Sequence, residues 1–483
     1  MIILAIDLFI PLWYNNLWYN NGLRMVLMEY GHTRHTIKTY TYIAALIGLG
    51  FLWTGTAYIA QAYRLLDLLD GGTVNLLTCG AYYVLQAAGV GIVALLFKKR
   101  FTVASGKPLP FFVTLAALLL TATSVFSSSL ALIIIAGALL NICIGVLSGC
   151  YITRLATDIP QQRRGIVFGG AYAFGSLGTW LISLPMGGRF LWHGGSFFVI
   201  AALALASLLL LKWLTPLQRM EKSGEFGHAG LGKNVIWLAA VVLVLLSMEN
   251  TLGFAFPLKG AANSVYIEFT RAFYGVGLIV AGLISDKNRR WGAVCCLCAL
   301  AFPFAALALG GSVSGETAMW MLAYLFLGFF SVYRILVFSD ISGKTGFPAW
   351  AAFGLLAGRL GEAAGTLGAG LFTGAPLIVL SGVVFIFVIA LFFLLYQKLY
   401  SQSVSPEEAE ARKLAEYVHH FSLSAREREI FSLIIEGMSN SEIANALYIT
   451  ESTVKFHVGN VFKKTGASNR SELIADYKLR NTH

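Results

Sequence analysis

The sequence predicts an all-α protein in two parts: a polytopic membrane bundle of twelve helices arranged as six plus six, then a small soluble domain of four helices. Three observations predict it. Hydrophobic residues make up 57% of the 483 and charged ones only 12%, with a mean hydropathy of +0.72, too apolar for a soluble globule to cover its own surface. Apolar runs of about 20 residues, the length that crosses a hydrocarbon core, recur along the chain. The last stretch breaks that pattern and carries charge, helix caps and short amphipathic periods instead.

Residues 1–38 begin apolar but carry Asp7 and Pro11 and dissolve into Trp-Tyr-Asn repeats. With no basic n-region and no small-residue cleavage site, a secretory signal is not expected, and an interfacial segment is. Spans follow near 39–60, 73–97, 109–127, 129–152, 165–185 and 194–214, which make the first half, 39–214. A polar connector, 215–233, leads to runs near 234–257, 262–284, 291–310, 317–339, 347–372 and 375–398, the second half, 234–398. Residues 399–420 read as a linker helix: Ser405-Pro406-Glu407-Glu408 supplies a Ser cap, a Pro in the first turn and acids at the helix N-terminus. That helix is expected to run on through Ala409–His420 as a rigid connector. All six cysteines fall inside apolar runs without zinc-site spacing and are expected to be small packing residues.

Charge orients the bundle. Loops after spans two, four, six and eight hold Lys98, Lys99, Arg100 and Lys107; Arg154, Arg163 and Arg164; Lys212, Arg219, Lys222 and Lys233; and Lys287, Arg289 and Arg290. The alternate loops hold little more than Arg64, Arg189 and Lys259. Loops rich in Lys and Arg stay in the cytoplasm, so both ends of the bundle, and the C-terminal domain, are expected on the cytoplasmic side of the cell (inner) membrane. The net charge of +11 is thus mainly a signature of orientation in a lipid bilayer and weak evidence for nucleic acid.

The two halves also look like repeats. Ile144-Gly145-Val146-Leu147-Ser148, followed by Asp158 and a Gly-rich span, matches Leu327-Gly328-Phe329-Phe330-Ser331, followed by Asp340 and a second Gly-rich span. Gly282-Leu283-Ile284-Ser285-Asp286-Lys287-Asn288-Arg289-Arg290 after span eight resembles the cytoplasmic loop signature of the major facilitator superfamily. It departs from it at Arg289, where a Gly is usual, and the first-half equivalent is reduced to Lys98-Lys99-Arg100. The resemblance covers Tyr40–Leu399 and implies a transporter-like fold.

In the tail, Ser424-Ala425-Arg426-Glu427 forms a capping box before Ile430, Phe431, Leu433 and Ile434 at helical spacing, and Gly437 closes that helix. A second helix starts at Ser439-Asn440-Ser441-Glu442, a third at Thr450-Glu451-Ser452-Thr453 with Gly466 as its stop, and a fourth at Ser468-Asn469-Arg470. Two short helices joined by a tight turn describe a helix-turn-helix. The runs Leu423–Glu429, Gly437–Ala444, Ile449–Val458 and Lys464–Arg470 resemble the LuxR-type transcriptional regulators over the whole of 421–483. The resemblance implies double-stranded DNA as partner, the third helix in the major groove, the start of the second on phosphates, and a fourth helix able to form a homodimer.

The DNA-binding candidates are therefore Ser439, Asn440 and Ser441, then Thr450, Ser452, Thr453, Val454, Lys455, Phe456, His457, Asn460, Lys463 and Lys464. Lys455 can donate to a guanine edge or a phosphate, the hydroxyls and Asn460 are short hydrogen-bonding groups, and Lys463 and Lys464 suit the DNA backbone. Helix N-termini at Ser439–Ser441 offer N–H groups to phosphate. Val454, Val458, Val461 and Phe462 are expected to pack rather than read. Phe456 and Gly459 stand where Lys, Arg or polar residues are often found, and Gly459 weakens the helix by about 0.5–1 kcal/mol relative to Ala. Near-balanced charge in this domain predicts weak monomer binding and useful affinity only on paired half-sites.

No phosphorylatable receiver, kinase or soluble ligand domain is recognisable, so the membrane bundle is the candidate sensor of a small molecule. Ionisable residues inside spans mark cavities or pair with one another: Glu249, Glu268, Arg271, Arg334, Arg359 and Glu362 are the ligand-binding candidates. Glu268 with Arg271, and Arg359 with Glu362, are spaced to pair within a helix, whereas Glu249 and Arg334 lack a local partner. Trp53, Tyr58, Tyr82, Tyr83, Trp237 and Tyr266 are candidates to line an aromatic cavity, or to form interfacial belts. No nucleophile, metal or phosphate-loop constellation appears, so no enzyme activity, metal or cofactor is expected. A one-component sensor is the favoured reading, ahead of a transporter that reports its own flux and of a regulator that is merely tethered.

Overall fold

The computed structural model describes residues 23–99, 104–183, 193–214, 233–260, 270–301, 313–400 and 406–479. Every element among them is helical. The expected interfacial segment up to residue 22, the connector 215–232, Glu268 and Tyr266 lie outside the described residues. The chain divides into two compact units, Met1–Lys398 and Leu399–His483.

In the first unit helices stand at the expected positions: α1 Leu23–Leu66, α2 Gly71–Lys99, α3 Pro108–Phe126, α4 Leu130–Asp158, α5 Arg164–Ser183 and α6 His193–Leu211. The second half follows with α7 Lys233–Gly260, α8 Ala272–Lys287, α9 Arg289–Cys296, α10 Val313–Thr345, α11 Phe353–Leu371 and α12 Ala375–Tyr400. Eight of the described helices are long and apolar enough to cross a membrane, so the chain is a multi-pass membrane protein. The largest boundary difference is at α1, which runs unbroken from Leu23, sixteen residues before the expected start at 39, because 23–38 holds no proline; α4 and α10 each run six residues past their expected ends, and α11 starts six residues late. Asp70 caps α2 by accepting from the Thr73 amide at 2.9 Å, and α2 widens into a π-helical stretch over Leu76–Ala81.

The six-plus-six repeat is visible in which helix packs on which. Span α1 lies on α5 as α7 lies on α11, and α2 lies on α4 as α8 lies on α10; the halves meet along α5 with α8 and along α2 with α11. Glycine permits the closest of these approaches. A Cβ at Gly165 in α5 would come within 2.5 Å of the Gly282 carbonyl oxygen in α8, so neither position tolerates a side chain while the helices keep this spacing.

Where those two helices meet at the basic-loop side, Asp286 accepts from the amides of Gly165 and Ile166, each at 2.7 Å, and pairs with Arg289 at 3.0 Å. Arg289 continues to Asp340 at 2.9 Å, and Asp340 to Arg164 at 3.2 Å. The Arg found at 289 in place of the usual Gly is thus the link that joins α8 to α10. The Asp286 group braces the two halves.

The second unit holds α13 Pro406–His420, α14 Ala425–Ile435, α15 Asn440–Ala446, α16 Glu451–Thr465 and α17 Arg470–Leu479. Its core gathers Ile430, Phe431, Ile434, Ile443, Val454, Val458, Val461, Leu473 and Tyr477. It also takes Tyr417 from α13, whose ring stacks on Phe431 with centroids 4.8 Å apart. The helix expected as a connector therefore packs as part of the second unit: its apolar face at Leu414, Tyr417 and Val418 has that unit's core to cover.

Candidate nucleic-acid interface and membrane-domain polar cluster

Local chemistry sets the helix-turn-helix. Capping boxes are complete at both helix starts: Ser424 with Glu427 opens α14, and Ser439 with Glu442 opens α15. Thr450 opens α16 by accepting from the Thr453 amide, and Gly466 closes it with φ +78°, a left-handed conformation that suits glycine. The turn between α15 and α16 carries Tyr448 at φ +53° with 94% of its surface exposed.

One face of α16 is buried in the core through Val454, Val458 and Val461. Ser452, Lys455, Phe456 and Lys463 share the opposite, exposed face at helical spacing, with Phe456 66% exposed. Lys455 is paired with Glu451 at 3.1 Å, a surface contact that a phosphate can displace. Thr450, Ser452 and Thr453 form a hydroxyl cluster, Thr450 Oγ1 lying 2.8 Å from each of the other two hydroxyls. His457 and Asn460 are half-buried at the edge of this face, and Ser441 is exposed at the start of α15 next to the half-buried Asn440.

Two of the candidate DNA contacts, Lys464 and Ser439, are occupied elsewhere, and Val454, a candidate also expected to pack, is fully buried. Lys464, its side chain still 38% exposed, donates to Glu427 Oε2 at 2.6 Å and to the Ser422 carbonyl at 2.9 Å, because the buried Glu427 of the first capping box needs a counter-charge. Ser439 spends its amide on Glu442 Oε2 at 2.7 Å, so its backbone N–H is not open to phosphate. These bonds from Ser439 hold the Glu442 carboxyl below its ordinary range. For Glu427, burial acts to raise the carboxyl, but Lys464 and the Ser424 amide outweigh it and the net shift is downward.

Two residues escaped the sequence reading. Arg470, at the N-terminus of α17 where a cation opposes the helix dipole, reaches the carbonyls of Ile434 in the last turn of α14 and of Met438 in the turn that follows it. That mismatch with its own helix is the signal. Tyr448 gave none beyond its place in the turn.

In the bundle, Arg334 of α10 and Glu362 of α11 pair at 2.5 Å, and the same carboxylate holds Arg359 at 2.6 Å. The intrahelical pair is present, and Arg334, which lacked a local partner, finds one across helices. Arg359 also lies over the Tyr83 ring of α2, 4.2 Å from its centroid, so the cluster spans both halves. Glu249 is apart from it: fully buried in α7, it accepts from Ser381 Oγ of α12 at 2.6 Å. Arg271 is exposed just before α8, and its expected partner Glu268 lies outside the described residues. Of the aromatic candidates, Trp53 and Tyr82 are buried in the packing and Trp237 is 66% exposed on the bundle surface. Tyr58 and Tyr83 stack on each other with centroids 6.0 Å apart beside Arg359.

Comparison with known proteins agrees with this division. The first unit resembles the crystal structure of the human organic anion transporter MFSD10 (TETRAN), with a TM-score of 0.53 over 74% of this chain and 99% of that one. At 16% identity the likeness establishes a transporter-like fold alone. The tail is 51% identical over 53 residues to the monoamine regulon transcriptional regulator of Klebsiella aerogenes and 47% over 62 residues to the transcriptional regulatory protein LiaR of Bacillus subtilis. Those matches take 11% and 13% of this chain and span only 23% and 29% of the relatives' own lengths. The spore germination protein GerE of Bacillus subtilis is 39% identical over 54 residues, 11% of this chain but 73% of GerE. Residues 421–475 match the model of the bacterial regulatory proteins of the luxR family, and through this DNA-binding module the chain belongs to that family.

Proposed function

We propose that the protein is a one-component transcriptional regulator: the bundle binds a small molecule, and the binding governs how the C-terminal module engages DNA. The observation that carries this reading is the polar cluster of Arg334, Arg359 and Glu362 against Tyr83, which draws on both halves of a transporter-like fold in a chain that ends in a DNA-binding module. An occupant touching both halves binds one packing of them better than another and so shifts their equilibrium. The basic loops support a cytoplasmic position for the module at the cell membrane. The near-balanced charge of the module supports binding as a homodimer on paired half-sites. This reading assigns the chain a regulatory role with no enzyme activity and no cofactor.

The test is a transcript comparison between wild type, a deletion, and a chimaera in which Tyr40–Leu399 is replaced by an unrelated span. Regulation lost in the chimaera supports sensing; unchanged regulation supports a tether and refutes it. A second reading, a transporter that reports its own flux, is favoured by the fold likeness. Uptake of a solute into proteoliposomes by the full chain, lost on Glu362→Gln, is the result that selects it.

A further inference from the structure

The charged cluster is unbalanced. Arg334 and Arg359 share the single carboxylate of Glu362, and among the described residues no other acid bonds either guanidinium, which leaves a formal surplus of one positive charge. Arg334 is only 4% exposed, and the Nε–H of both arginines meets no acceptor among the described residues. An incompletely bonded cation inside a membrane bundle is costly, and one counter-anion removes the cost.

The surroundings give that anion a shape. The Tyr83 ring lies under Arg359 and stacks on Tyr58, with an interplanar angle of 24°. On the other flank the Tyr274 hydroxyl meets Ser331 Oγ at 2.9 Å, one turn before Arg334, and its ring meets Tyr172 edge-on at 6.1 Å. These four tyrosines are half-buried, and the side chains of Arg359 and Glu362 keep 19% and 17% of their exposure although α2, α10 and α11 surround them. That residual exposure lies where α2, α10 and α11 bring Tyr83, Arg334, Arg359 and Glu362 together.

We propose that this cluster binds a small organic monoanion: a carboxylate held by the Arg334 and Arg359 guanidiniums and carried on a planar ring that lies among the tyrosines. The guanidinium fork matches a carboxylate, aromatic faces match a planar ring, and one surplus charge matches a monoanion better than a phosphate dianion, which leaves the cluster negative. The proposal rests on the reading of the bundle as a small-molecule binding domain and names the chemical class of its ligand.

The test uses the full chain in lipid nanodiscs, with benzoate, phenylacetate and indole-3-acetate as probes beside their neutral amides and the cation benzylammonium. Equilibrium dialysis and the unfolding temperature are the readouts. At least one carboxylate is expected to bind saturably, with its amide about thirtyfold weaker or worse, the loss that follows removal of one partner from a buried charge pair. Arg359→Met leaves a neutral Arg334–Glu362 pair, so it is expected to keep the unfolding temperature and lose the carboxylate. If that variant does not fold, the carboxylate-to-amide ratio on the wild-type chain decides. The proposal is overturned if no carboxylate binds, if amide or benzylammonium binds as well, or if folded Arg359→Met binds undiminished. A carboxylate that binds with these dependences yet leaves target transcription unchanged upholds the site and refutes the sensor.

Discussion

Tyr417, three residues before the end of α13, donates its hydroxyl to Asp476 Oδ2 in α17 at 2.8 Å while its ring stacks on Phe431. The contact joins the helix before the helix-turn-helix to its last helix. Lys413 adds a cation over the Tyr477 ring, 4.4 Å from the centroid. The DNA-binding domain is thus five helices, with α13 as one wall.

The first prediction follows from that wall. In the isolated module 399–483, Tyr417→Phe should cost about 1 kcal/mol, the net value of a hydrogen bond, and Tyr417→Ala about 3–5 kcal/mol, the cost of an aromatic removed from a core. A fragment starting at 421 should unfold at lower urea than 399–483. Equal midpoints for the two fragments in urea denaturation would show that α13 is only a connector.

The second concerns Glu427. Its folded carboxyl lies below the ordinary 4.5, so the stability it contributes is present above that pH and fades as pH falls through its lower folded value. Glu427→Gln should therefore lower module stability above about pH 4.5 and flatten its loss below that pH. Urea midpoints measured from pH 3 to pH 7 check this, and an unchanged acid limb in the variant rules it out.

The third separates two adjacent lysines. Lys463 is on the exposed face of α16, whereas Lys464 is bonded to Glu427. Lys463→Ala should weaken DNA binding about equally on all sequences and lower the slope of log affinity against log salt by about 1. Lys464→Ala should leave that slope and lower stability by about 1–3 kcal/mol, since Glu427 is left buried without its cation. Filter binding across a salt series distinguishes the two, and a slope change in the second variant would assign Lys464 to phosphate after all.

A fourth prediction addresses the brace between the halves. Asp286 accepts two amides of α5 and the Arg289 guanidinium, so Asp286→Ala should cost about 3 kcal/mol, in the range for removing one partner of a buried pair. Thermal unfolding of the full chain in detergent should shift down by several degrees, with a similar shift for Gly165→Leu, whose side chain has no room against α8. No shift in either variant would mean that the halves are held elsewhere.

The sequence alone determined whatever depends on neighbours a few residues apart. Both capping boxes, the Gly466 stop, the valine face of α16 and the apolar lengths of the spans rest on local bonding and on hydrophobic period, and these read directly from residue order. The Arg359–Glu362 pair was legible for the same reason, being one helical turn apart. Tertiary structure decided the rest. That Arg334 completes the pair from 28 residues away, that Tyr83 lies beneath Arg359, that Lys464 bonds Glu427 and that α13 joins the domain core all depend on which helix faces which. Such choices are made by burial and charge balance between distant segments, and a linear pattern of residues carries each partner's chemistry without naming the other.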